Sequence, residues 1–450
     1  MVEKAYQRIV AFLLAFAVFV TAMPAYAISL ISDAETEIFL HRTLIPIFEA
    51  AGVTFNPRHI YIVNDKSLNA FVADGNNMFV TVGTLMAADS QNEVSGVLAH
   101  ETGHIAGGHI LRHKIQAREI QRISLLSMLL GGAAGIAAGR PDVSIAAILG
   151  SQGSAMGSLL AYQVSEERSA DEAAVKLLAK INQSPSGMLS FMKKIQKQNT
   201  IQGIEENSYF RTHPVTSERI TFLEKAVRES KSSTKGKQEE QFKRIKAKLY
   251  AFIEDPKNTL IKYPENDDSV AARYARTVAY FKKSDMPKAL SLIDGLIADE
   301  SANPYFWELK GQMLLETGQV GAAADIYRQA LKLQPDSSLF KLNLAQAMLE
   351  NSPSRAEQQQ IVDLLNQVLI YNPDSSAWLL LARAYGLQEN AAGYNYAAAE
   401  YSLRIGDVKL AEQQAQQAVK SNPSAVLRLK LDDLLLRIKD YQKERKYNYK

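Results

Sequence analysis

"VLAHETGHIAGGH", residues 97–109, is the stretch on which the reading of the fold turns. His100 and His104 stand four apart, Glu101 follows the first of them, and a third histidine arrives at 109. Val94, Val97, Leu98 and Ile105 recur at helical spacing, and Asp89 or Ser90 stands where a helix would be capped. The motif therefore belongs on a helix, where residues four apart share a face. Two imidazoles projecting together can hold one Zn²⁺, and Glu101, one step round, reaches a water beside the metal instead of the metal itself. From there it would take that water's proton during attack on a peptide carbonyl and pass it to the leaving amine.

A zinc peptidase needs a third protein ligand. The pattern HExxHxxGxxH would put a histidine at 110, but Ile110 stands there and the histidine comes one early. On a continuing helix His109 points roughly opposite His100, so it reads as a surface or packing residue and not as a ligand. The acidic candidates downstream are Glu119 in "QAREIQRI" and Glu167 in "SEERSADEAA". Glu167 and Asp171 are one helical turn apart, so one carboxylate can bind zinc while the other accepts a hydrogen bond from a ligand imidazole. That pairing favours Glu167, although the same segment read without the HExxH is an ordinary charged helix face.

Outward from the motif, Ile60–Val63 and Met78–Val82 alternate apolar and polar residues, with the turn-forming "DGNN" at 74–77 between them, which predicts a hairpin or small sheet. At the N-terminus, Lys4 and Arg8 precede an apolar run from Ile9 to Met23 and a small-x-small end at Ala25 and Ala27, the pattern of a cleaved secretory signal over 1–27. The chain of 450 residues has no cysteine, which excludes a lipoprotein anchor, disulfides and thiolate metal sites, and fits a bacterial periplasm. Its net charge of +3 gives no ground for a nucleic-acid partner. Residues 124–160 are rich in Ala, Gly and Leu but broken by Gly and Pro. They read either as a buried hairpin packed through small residues or as a flap making peripheral membrane contact beside the active site.

Beyond a polar stretch at 229–242 the composition changes. Trp307, Gly311, Leu314, Gly318, Ala323, Tyr327, Ala330 and Pro335 fall at the spacing of a tetratricopeptide repeat, a helix pair whose small residues allow close approach. Trp378, Leu381, Ala382 and Tyr385 repeat its first helix, and Gly406, Ala411, Ala418 and Pro423 the end of another copy. Pro304, Pro335, Pro373 and Pro423 lie 31, 38 and 50 residues apart, so insertions and an extra helix are expected. The expected division is 1–27 signal peptide, 28–228 metallopeptidase domain, 229–267 linker and connecting helix, 268–423 repeats, and 424–450 capping helix and tail. The expected fold is mainly α: a gluzincin-like HExxH metalloprotease domain with a small β-sheet, followed by an α-solenoid of tetratricopeptide repeats.

"HETGHIAGGH", "ERSAD" and "THPVTSERI" at 212–220 together resemble, in order, the three signature blocks of the HtpX-like and CAAX-prenyl-protease zinc metallopeptidases, and "LNAFVADGNNMFVTVGTL" is similar to the segment before their HExxH. With a secretory signal before and repeats after, the architecture resembles the BepA-type periplasmic branch, which acts in quality control of outer-membrane protein assembly. The resemblance implies zinc bound by His100, His104 and Glu167, Glu101 as general base, and Asp171 orienting a ligand. It also implies either oxyanion stabilisation or a fourth zinc contact for His213, and an anchoring ion pair for Arg219. The family commonly carries a basic residue where this chain has Gly107 and Gly108, which suggests a looser end to the active-site helix.

The expected activity is a periplasmic zinc endopeptidase cleaving misfolded or stalled envelope proteins, its repeats binding substrate or assembly machinery, with a substrate strand added along residues 78–83. The rival reading is a chaperone or adaptor for outer-membrane assembly with a metal site mostly closed by His213.

Overall fold

The computed structural model describes residues 29–54, 60–73, 76–109, 111–112, 164–202, 213–371 and 375–448. The signal segment 1–27, Glu119, the apolar stretch 124–160 and half of the "DGNN" turn lie outside the described residues. Among the described residues no helix is long and apolar enough to cross a membrane.

The peptidase half is assembled around a four-stranded sheet and a central helix. β1 (Leu30–Ile31), β2 (Ile60–Val63), β3 (Ala70–Ala73) and β4 (Asn77–Thr81) run in the order β1-β2-β4-β3. Both alternating segments are strands, but they pair with each other in parallel, Ile60 opposite Met78 and Val63 opposite Thr81. The hairpin partner of β4 is β3, with Phe71 opposite Phe79. This corrects the expected substrate edge: residues 77–81 are an inner strand, and among the described residues the edges are β1 and, beside β4, β3. One face of the sheet (Ile60, Ile62, Ala70, Met78, Val80) is buried in the core, and the other carries a stacked row of Tyr61, Phe79 and Phe71.

Ahead of the central helix come α1 (Ala34–Ala51) and the short α2 (Val82–Ala87). The central helix α3 (Gln91–Ala106) is capped at Ser90, whose Oγ accepts from Glu93 N–H while the Glu93 carboxylate accepts from Asp89 N–H. Every residue from Gln91 to His104 is buried, as expected of a helix surrounded on all sides. Residues 164–180 form a helix, α4, and α5 (Ser186–Gln202) and α6 (Ser217–Glu229) complete the surround. Gly103 decides how close α4 comes, because a Cβ there would meet the Ala170 carbonyl oxygen at 2.7 Å. A larger residue would push away the helix that carries Glu167 and Asp171.

α7 (Glu239–Ile253) is shared by two cores. Phe242, Ile245 and Leu249 pack in the peptidase core, with Phe242 stacked on Phe39 of α1. Ala247 and Ala251 pack with Tyr274, Ala275 and Val278 in the next one. After α8 (Pro256–Lys262), helices follow in antiparallel succession: α9 (Val270–Lys282), α10 (Met286–Asp299), α11 (Pro304–Glu316), α12 (Val320–Leu333), α13 (Ser338–Glu350) and α14 (Arg355–Tyr371). The long interval from Pro373 to Pro423 holds three helices, α15 (Ser375–Leu387), α16 (Ala391–Arg404) and α17 (Val408–Lys420). The turns α9/α10, α11/α12, α13/α14, α15/α16 and α16/α17, and the one that follows α17, each place one residue at positive φ: Ser284, Gly318, Ser352, Glu389, Gly406 and Asn422. Gly311 is small because Tyr327 of the facing helix lies against it. The last helix, α18 (Ala425–Asn448), buries Leu431, Leu434 and Ile438 and exposes Val426, Leu429 and Leu436.

A buried charge cluster lies where α1, α7 and α11 meet. Lys248 of α7 is 2% exposed and its Nζ is 2.6 Å from Asp33 Oδ2 and 3.4 Å from Glu35 Oε2, while Arg244 pairs with Glu35 at 3.0 Å. Glu308 of α11 is buried beside it, and burial, opposed by Lys248, pushes its carboxyl from 4.5 up to about 8. A carboxyl with a folded value above its unfolded one costs nothing below about 4.5 and an increasing amount as pH rises through 8. Glu308→Gln removes that cost. The urea midpoint of the variant should therefore gain on the native protein between pH of about 5 and about 8.5. A constant difference across that window would show that Glu308 is not titrating at the junction.

Candidate metal centre and peptidase site

Three segments bring the sequence candidates together. α3 presents His100 and His104 from one face, α4 presents Glu167 and Asp171 one turn apart, and the segment entering α6 presents His213. One donor atom from each of His100, His104, Glu167 and His213 lies within 4.8 Å of the others, and all four residues are buried. His104 Nε2 is 3.1 Å from His100 Nε2 and 3.2 Å from Glu167 Oε1. His213 Nδ1 is 3.3 Å from His100 Nε2 and 2.9 Å from Glu167 Oε1. A tetrahedron with zinc–donor distances of about 2.1 Å has edges of about 3.4 Å, so this donor set of imidazoles and a carboxylate fits zinc in both size and chemistry. Glu101 stands at the rim, its Oε1 3.6 Å from His213 Nε2 and, among the described residues, without a hydrogen bond.

Behind these atoms lies a second set. Asp171 Oδ1 is 2.9 Å from His100 Nδ1, on the side of the ring away from the cluster. Arg219 grips Asp171 with two hydrogen bonds, Nε to Oδ2 at 2.6 Å and Nη2 to Oδ1 at 2.8 Å. Its Nη1 donates to the Pro214 carbonyl and stands 2.8 Å from Glu167 Oε2. One guanidinium thus holds two carboxylates of α4 and the backbone next to His213.

The electrostatics follow from burial and these partners. Burial opposes the charged form of His100, yet Glu167 and Asp171 push its imidazole up to about 10. His104 moves the other way, brought down to about 3 by burial and by the charges on His100 and His213. Against the same burial, His213 and His100 hold the Glu167 carboxyl well below the usual range, and Arg219 lowers that of Asp171. Glu101 is raised above the usual carboxylate range by burial.

His109 packs, one of the two roles expected of it, but not on a continuing helix. The helix does not continue to it: α3 ends at Ala106, Gly107 caps it, and Gly108 takes φ +65°. This two-residue turn redirects the chain and helical backbone resumes at His109, which is 2% exposed with its Nδ1 2.9 Å from His104 Nδ1. The Gly107–Gly108 pair is the sequence signal for that stop. The reach of Arg219 to Glu167 as well as Asp171 has no local signal, since the residues are about fifty apart. Replacing Arg219 with Met leaves two buried carboxylates short of their cation and should cost about 3–5 kcal/mol in denaturant unfolding. A loss below about 1 kcal/mol would mean that other groups neutralise them.

Residues 34–227 match the model of peptidase family M48, and 274–338 and 309–352 match that of the tetratricopeptide repeat. The chain is similar to the beta-barrel assembly-enhancing protease of Yersinia pestis, 24% identical over 343 residues, covering 74% of this chain and 68% of that protein. It is 23% identical to the protein of that name from Escherichia coli (strain K12) over 415 residues, covering 90% and 82%. A protease HtpX homolog of Methylibium petroleiphilum is 29% identical over 191 residues, covering 36% and 66%. Residues 34–227 are a family M48 peptidase domain, and the chain is a metallopeptidase carrying tetratricopeptide repeats beyond it.

Proposed function

We propose that this chain is a periplasmic zinc endopeptidase that cleaves misfolded or stalled envelope proteins, with repeats that bind the substrate or the outer-membrane assembly machinery. The observation that carries the chemistry is the buried four-residue donor cluster with Glu101 at its rim. The cellular setting rests on relatives named beta-barrel assembly-enhancing proteases and on the secretory pattern of residues 1–27. The working division of the chain is 28–228 for the peptidase, 229–267 for the connection and 268–423 for the repeats.

In this reading His100, His104 and Glu167 hold the metal. Bound there, zinc supplies Lewis acidity toward a scissile carbonyl and makes water in the cleft more acidic. Glu101 accepts the proton of the attacking water and delivers it to the leaving amine. Its burial, which raises its proton affinity, suits a group that must take a proton and give it back. Asp171, fixed by Arg219, keeps Nε2 of His100 turned inward. An extended substrate would pair with the free edge of β3, so recognition would favour unfolded strands over a particular sequence.

His213 supports a second reading, in which the protein acts mainly as a chaperone or adaptor with its metal site closed. Its Nδ1 sits among the donor atoms, as a resting fourth ligand would, and it is also near enough to Glu101 to bind a developing oxyanion once released. Purified protein lacking residues 1–27 and its variants would be assayed for zinc and casein cleavage. Glu101→Gln should keep its zinc and lose at least about a hundredfold in rate. An active Glu101→Gln protein would sink the peptidase mechanism. A faster His213→Ala protein would support closure by His213, and a slower one its role in stabilising the reaction.

A further inference from the structure

The two imidazoles of α3 are supported differently. His100 turns its Nδ1 to a carboxylate, Asp171, which Arg219 holds in place. His104 turns its Nδ1 to another imidazole, His109, at 2.9 Å, the rings meeting edge to face with centroids 4.9 Å apart. Nε2 of His104 lies among the cluster donors, so its Nδ1 is the ring nitrogen left to carry the proton.

The local backbone is shaped to bring His109 there. Had α3 run on, His109 would have pointed away from His104. Gly108 at φ +65° breaks the helix and redirects the chain, a conformation open to glycine at little cost. At Gly107 a Cβ would stand 2.4 Å from His109 Nε2, so the ring occupies the space that any side chain at 107 would need. The glycine pair where the family commonly has a basic residue therefore marks a tight turn filled by the His109 ring and not a loose end.

We propose that His109 is a positioning residue: its Nδ1 accepts the hydrogen bond from His104 Nδ1–H and so fixes the tautomer and ring plane with which His104 offers Nε2 to the metal. This rests on the reading of His104 as a zinc ligand. An imidazole acceptor carries no negative charge of its own, unlike the Asp171 carboxylate behind His100.

The test is zinc affinity, measured by competition with a chromogenic chelator on the full chain without residues 1–27. His109→Phe keeps the bulk and removes the acceptor, and should bind zinc about 10–100-fold more weakly. His109→Gln restores an acceptor oxygen and should recover most of that loss. Gly107→Ala, which must displace the ring, should weaken binding as His109→Phe does, giving an independent variant if the phenylalanine does not fold. Native affinity in both His109→Phe and Gly107→Ala would overturn the proposal, as would a His109→Gln protein no better than His109→Phe. Native protein that binds no zinc would instead overturn the ligand reading itself.

Discussion

Four ionisable side chains cannot be buried within a few ångströms of one another unless something fixes their charges, and here that something is Arg219. Its guanidinium spans Asp171 and Glu167 on α4 and the Pro214 carbonyl beside His213. Burying carboxylates without a partner is costly, so the arginine is a condition for α4 and the entry to α6 lying where they do. A lysine would not substitute, since the grip on Asp171 is bidentate. The ordering passes down a line: Arg219 fixes Asp171, Asp171 fixes the ring of His100, and His100 stands one position before Glu101. Gly103 supplies the steric half of the same arrangement by letting the Ala170 backbone come up against α3.

The repeats are joined to this site through packed structure. α7 contributes to both cores, and Lys248 on it is enclosed by carboxylates from the start of α1 and by Glu308 from the repeats. Tyr305 and Phe340 of the repeats also pack with Ala34 at the start of α1. A partner bound by the repeats would thus meet a surface held in fixed relation to the catalytic helix. Such coupling is what a protein needs if capture and cleavage are to act on the same chain.

Much of this was legible from local periodicity. The HExxH helix, its cap at Asp89 or Ser90, the Glu167/Asp171 pair and the repeat register around Gly311, Gly318 and Tyr327 all depend on spacings of a few residues, which sequence carries directly. The parallel pairing of Ile60–Val63 with Met78–Thr81 was not legible, because alternation marks a strand without naming its neighbour. Ala70–Ala73, only four residues long and without a clear alternation, gave no strand signal strong enough to claim the hairpin. His109, read as a surface or packing residue, does pack, but the neighbour it packs on was not legible, because that hangs on a backbone angle at Gly108 which changes the direction a helical count assigns. The three segments of the donor cluster come from about 110 residues of chain: the Glu167/Asp171 pair offered a third ligand by itself, but only the resemblance to a known order brought in His213.

The most direct measurement is zinc content by mass spectrometry after dialysis, for the native chain and for Glu167→Gln. The account predicts about one zinc per native chain and less than about a tenth of that in the variant, because Glu167 is both a donor and the group that Arg219 shares with Asp171. A full equivalent of zinc retained by Glu167→Gln, or none in the native chain, would contradict the donor set on which the account stands.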